Sequence, residues 1–147
     1  MLRASSIAVA AILLFVAVLP GQDKPVTDLD RLQGTWVPAS AVFDGTEAPA
    51  EILKDLLWVI ADNELSELNK GRRESRAKLA LDAAKKPAAF DVTYTEGVAK
   101  GHTGHSIYKI EGDVLTVCMS ALPGERPTEF ASKRGDGSSL LVFKRAK

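Results

Sequence analysis

The feature that most constrains this chain is its punctuation. From residue 32 to residue 145, short runs rich in β-branched and aromatic residues are cut at regular intervals by turn-forming groups. These are Asp44-Gly45, Asn69-Lys70-Gly71, Glu96-Gly97, Glu111-Gly112-Asp113, Pro123-Gly124 and Gly135-Asp136-Gly137. Runs this short cannot make long helices. Strands joined in order by tight turns pair antiparallel with their neighbours.

The runs alternate as half-buried strands should. Leu32–Val37 with Ala39–Phe43 reads as the first strand, ended by Asp44-Gly45. Glu47–Leu57 carries Ile52, Leu53, Leu56 and Leu57 at a spacing that suits a short helix. Trp58-Val59-Ile60 extends that helix or starts a strand, and its β-branched pair favours the strand. Glu64–Leu68 and Arg72–Leu81 form the arms of a hairpin around Asn69-Lys70-Gly71. A helix over Glu74–Lys86 competes for the second arm, because its alanines and lysines favour helix. Phe90–Tyr94, Ser106–Ile110, Val114–Ser120, Thr128–Lys133 and Leu140–Lys144 supply further strands. The expected fold is mainly β: a small antiparallel up-and-down barrel of about eight strands, with one short helix after the first strand.

The N-terminus is a separate unit. Arg3 precedes an unbroken apolar run over Ile7–Leu19, then Pro20-Gly21 and the polar Gln22-Asp23-Lys24. That order is a secretory signal peptide, cut after Gly21. The run falls short of the roughly 20 residues that span a bilayer, although an uncleaved anchor is the competing reading. No cysteine follows the run to carry a lipid. The division is therefore signal peptide 1–21, polar lead-in 22–30 and one barrel domain 31–147, exported to the periplasm or beyond, with no stable membrane span after cleavage. Cleavage would remove Arg3 and no acid, leaving eighteen bases against nineteen acids. That balance argues against an electrostatic nucleic-acid binder and against polybasic membrane docking. A single cysteine, Cys118, leaves the domain no internal disulfide, so it folds on its core alone.

Three stretches together carry a family likeness. They are Leu32-Gln33-Gly34-Thr35-Trp36; Gly104-His105-Ser106-Ile107-Tyr108 with Gly112-Asp113-Val114-Leu115 and Cys118; and Arg126-Pro127-Thr128-Glu129-Phe130 leading to Leu140–Arg145. Residues 29–147 resemble a family of uncharacterised planctomycete domains, often exported, which implies a fold and no chemistry. A broader likeness is to the lipocalins. Gly34-x-Trp36 on the first strand and Arg145 on the last resemble the lipocalin signature, which implies an arginine lying across the tryptophan at one end of the barrel.

Motifs for chemistry are sparse. His102 and His105 stand three apart, as zinc ligands can, with Glu111, Asp113 or Cys118 as further donors. Two loop histidines facing water explain the pair better, and no metal or other cofactor is expected. Cys118 lies mid-strand with no histidine placed beside it by sequence, so it reads as a buried thiol. Asp62 and Glu64 read as solvated strand-edge carboxylates. There is no Gly-x-Ser-x-Gly elbow, phosphate loop or dinucleotide fingerprint. Tyr108 and Arg126 are the ligand-binding candidates, Arg126 as a polar anchor at the barrel mouth with Pro127 leading into a strand.

Three functions follow, in order of support. The first is an exported barrel that binds a small apolar molecule. The second is a solid-cored module that meets an envelope protein through its surface. The third is a hydrolase, which no motif supports. A cavity inside the barrel separates the first from the second.

Overall fold

The computed structural model describes residue 21 and residues 24–147. The signal-peptide reading of residues 1–21 falls outside them apart from Gly21.

The described chain is mainly β. A five-residue helix, α1 (Asp28–Leu32), leads into β1 (Gly34–Phe43), the two-residue β2 (Thr46–Glu47) and a single helical turn, α2 (Ala50–Leu53). Then come β3 (Leu56–Ala61), β4 (Glu64–Asn69), β5 (Arg72–Asp82), β6 (Ala89–Glu96), β7 (Thr103–Glu111), β8 (Val114–Met119) and β9 (Ser139–Arg145). All pairings are antiparallel and run in chain order, except that β1 pairs with both β3 and β9. Eight strands thus close into a barrel, with β2 added to the end of β1.

The turns that punctuate the sequence set this register. Asp44-Gly45 and Lys70-Gly71 each place two consecutive residues at positive φ, 47° and 76° in the first and 51° and 76° in the second. Two-residue turns of that kind match the right-handed twist of the strands they join. Alternation then decides which side chains enter the barrel. On β6, Phe90, Val92 and Tyr94 are buried in the core, while Asp91, Thr93 and Thr95 lie on the other face. On β5, Ser75, Ala77 and Leu79 are buried and Glu74, Lys78 and Ala80 are exposed. The hairpin reading of 64–81 holds, and a helix over 74–86 does not form.

Three sequence expectations need correction. The polar lead-in runs into α1, which crosses the expected boundary at residue 30 and is stabilised by a reciprocal cap: the Thr27 side chain accepts from the Asp30 backbone, and the Asp30 carboxylate accepts from the Thr27 backbone. The first strand therefore starts at Gly34, with Leu32 in the helix. The expected helix over 47–57 shrinks to α2, because Leu56 and Leu57 pair with Asn69 and Leu68 in the sheet. Thr128–Lys133 is no strand. β8 pairs directly with β9, Cys118 opposite Leu140, so no place is left between them. Residues 120–138 instead drape over the outside of the barrel, where the Cys118 thiol donates to the Ala131 carbonyl at 3.3 Å.

Candidate functional site

The two ends of the barrel are built differently. At one end the interior is filled. Trp36 is fully buried, and its indole N–H donates to the Leu32 carbonyl at 2.8 Å. Arg145, paired with Trp36 across β1 and β9, lays its guanidinium over the indole, 4.3 Å from the ring centroid. The same guanidinium donates to the Gln33 carbonyl at 2.5 Å and the Arg31 carbonyl at 2.6 Å. Gly34 makes room for it: its φ is +116°, and a Cβ there would sit 3.3 Å from the guanidinium. Gln33 joins this joint to the β3–β4 turn, accepting from the Asp62 N–H at 2.7 Å and donating to the Asp62 carbonyl at 2.9 Å. Tyr108 belongs to this end as well. It is buried, and its hydroxyl donates to Asp28 of α1 at 2.6 Å. Burial, then the hydrogen bond to Asp28, pushes the Tyr108 phenol far above its ordinary range.

The other end is open. A cavity of about 280 Å³ enters the barrel there, with walls that include Leu53, Leu56, Trp58, Tyr94, Leu141 and Phe143. Its volume lies just below the roughly 300–1,000 Å³ that small-molecule pockets occupy. Trp58 and Phe143 stack with ring centroids 4.4 Å apart. One carboxyl shares this lining, that of Glu67. Strand pairing puts it there: on β4, Glu67 lies opposite Trp58 of β3 on one side and Ser75 of β5 on the other. The Ser75 hydroxyl donates to the carboxyl. Burial raises the Glu67 pKa above the usual carboxylate range; the polar groups of Ser75, Trp58 and Tyr94 oppose that rise without cancelling it. Burial also raises the Tyr94 phenol, helped by the nearby Glu67.

Neither ligand-binding candidate read from the sequence lines this cavity. Tyr108 sits at the filled end. Arg126 lies on the outer wall, since Pro127 introduces no strand. Its guanidinium donates to the Ser106 carbonyl at 2.8 Å and to Asp91 at 2.6 Å. Asp91 also meets the His105 ring at 2.9 Å. Burial raises the Asp91 carboxyl, but the bonds from His105 and Arg126 outweigh it and hold the pKa below its ordinary value.

The two histidines part company. His102 is exposed in the β6–β7 connection, whereas His105 is half-buried on β7, so the expectation of two loop histidines fails for the second. Among the described residues, no three His, Cys, Asp or Glu side chains are grouped to hold a metal ion. The Ser120 hydroxyl accepts from the backbone N–H of His105, not from its ring. Cys118 is fully buried, and burial raises its thiol pKa. Glu64 is paired with Arg76 and Lys78, at 3.1 and 3.4 Å, rather than merely solvated.

A second hollow, about 420 Å³, lies under residues 120–138. Its lining is polar, and several of its groups are spent on the loop's own structure. Asp136 accepts from the Ser138 hydroxyl at 2.7 Å and from the Lys133 N–H at 3.0 Å. The barrel cavity is the better candidate because its walls are apolar and its one acid, although bonded to Ser75, forms no ion pair among the described residues.

The sequence reading missed Glu67, Tyr94 and Phe143 as site residues. A signal was present. Once Lys70-Gly71 is the turn, Glu67 falls on the same face of β4 as Leu65, which is fully buried. Leu68, three residues after Leu65, contradicts that parity and hides it.

The fold and the site together define a closed eight-stranded antiparallel barrel, filled at one end and hollow at the other around a half-buried acid. No family model, no curated protein and no solved structure matches the chain.

Proposed function

We propose that this protein is an exported, lipocalin-like barrel that holds a small apolar molecule in its open end. The observation that carries this reading is the cavity of about 280 Å³ walled by Trp58, Tyr94, Phe143 and aliphatic side chains. Stability argues for a use. Filling those walls with larger side chains would strengthen the core, as it does at the Trp36 end. The apolar run at residues 7–19 and the resemblance to exported domains support a site outside the cytoplasm.

Thermal shift tests the reading, because a ligand bound only to the folded state stabilises it. A panel of fatty acids, sterols, aromatic metabolites and small amines is expected to contain at least one compound that raises the melting temperature. The same compound should have no effect on Leu141→Trp, which fills the cavity. A panel without effect, or equal shifts in both proteins, rejects the reading. Mass spectrometry of the protein recovered after expression with its full N-terminus tests export, with a new terminus at Gln22 as the expected result.

A further inference from the structure

The acid inside the barrel lacks a counter-charge. Glu67 faces Trp58, Ser75 and Tyr94, which offer hydrogen-bond donors and no positive charge. Among the described residues no lysine, arginine or histidine forms an ion pair with it, whereas Glu64, three residues earlier on the same strand, is paired with both Arg76 and Lys78. Glu74, a second acid, adds a like charge nearby. A carboxyl half withdrawn from water without a cation is costly to keep ionised, and a glutamine could accept the same bond from Ser75. The surroundings are matched to a cation as well. The faces of Trp58, Tyr94 and Phe143 carry the negative side of the aromatic quadrupole. Leu53, Leu56, Met119 and Leu141 offer an apolar wall for a hydrocarbon body.

We infer that the ligand is a small organic amine, whose ammonium group donates to the Glu67 carboxylate while its apolar or aromatic body lies against the cavity wall. This rests on the barrel cavity being a ligand site, and it adds the chemical class of the ligand. The ammonium restores charge balance at the one place in the cavity that lacks it. An N–H donor also makes a charge-assisted hydrogen bond, roughly twice as strong as a neutral one. A carboxylate ligand would meet Glu67 as a like charge, and an alcohol would leave the acid without a counter-ion.

Three probes of one shape separate these outcomes: phenethylamine, phenethyl alcohol and hydrocinnamate, each titrated calorimetrically into the whole protein at neutral pH. The amine is expected to bind at least about tenfold more tightly than the alcohol, and hydrocinnamate most weakly. Glu67→Gln should lower amine affinity to the level of the alcohol, leaving alcohol affinity within about twofold. The amine-to-alcohol ratio on the natural protein needs no variant, so a poorly folding Glu67→Gln does not spare the inference. Equal binding of amine and alcohol, tighter binding of hydrocinnamate, or an amine preference that survives Glu67→Gln overturns it. In those cases the cavity is still a ligand site, provided Leu141→Trp abolishes the binding. If none of the three probes binds the natural protein, the amine inference is overturned, and the wider panel then decides the cavity reading independently.

Discussion

The molecule contains two tryptophans, and they are used in opposite ways. Trp36 is sealed: no part of it reaches solvent, its N–H is bonded to the backbone, and a guanidinium covers its face. Trp58 is almost as buried, yet it forms the wall of a hollow and stands beside an acid that lacks a counter-charge. The two are direct partners across β1 and β3, yet at Trp36 the indole N–H and the covering guanidinium both bond to backbone carbonyls of the chain. At Trp58, the polar accounting is left open and the space unfilled. Such a contrast within one barrel shows where packing serves stability alone and where it gives way to another demand.

The largest test of this contrast is Trp36→Ala, which should cost about 3–5 kcal/mol in urea denaturation. Against a total stability of roughly 5–15 kcal/mol for a small domain, that leaves little folded protein. A loss below about 1 kcal/mol would show that the filled end is not the stabilising one. Arg145→Lys comes next. The charge is kept, but a lysine cannot reach the Gln33 and Arg31 carbonyls together or lie flat on the indole, and a loss of about 1–3 kcal/mol is expected in the same assay.

Glu67→Gln should act with the opposite sign. The Glu67 pKa is raised in the folded state by burial, so between the ordinary glutamate value and the raised one the folded chain keeps a proton that the unfolded chain has released. Stability therefore falls as pH rises through that window and stays reduced above it. Glu67→Gln should remove the fall, giving a higher melting temperature than the natural protein at pH 8 and little difference at pH 4. Greater loss at pH 8 would mean that the acid is structural and that the two ends are alike. The smallest effect is expected outside the barrel. Asp91 has a lowered pKa, so its contribution is present above the ordinary aspartate value and is lost as pH falls through the folded one. Asp91 is about a third exposed, so Asp91→Asn should cost under about 1 kcal/mol at neutral pH and nothing measurable in strong acid.

How much of this was legible in the sequence depended on how local each signal was. Turns at Asp44-Gly45 and Lys70-Gly71 and the alternation of Phe90–Tyr94 are local, and they specified a barrel of about eight strands. Gly34, Trp36 and Arg145 were legible as a set because each has a distinctive side chain or none. The α1 helix was hidden by its length, since five residues show no helical period and only the Thr27–Asp30 cap marks it. Phe130 misled in the other direction. It reads as a strand residue, but its ring packs under the Lys109 ammonium, 5.2 Å away, as part of the loop on the outer wall. The site was least visible. Glu67 looks like any surface glutamate until β3, β4 and β5 are in register, and no spacing along one strand shows that Trp58 and Ser75 will flank it.

The pairing of the first strand with the last also governs the order in which the fold can be completed. Arg145 and Gln33, which meet through a 2.5 Å hydrogen bond, are 112 residues apart in sequence. Local hairpins such as β4–β5 can form as soon as their few residues are available. The seam cannot, because the loop it closes contains nearly the whole barrel, and closing a loop of that length is entropically late and slow. Until the seam forms, β1 and β9 each present an unpaired edge of the kind that joins chains together. A protein made from its N-terminus thus holds Trp36 ready for most of its synthesis, and its solubility during that interval depends on how soon the residues around Arg145 arrive.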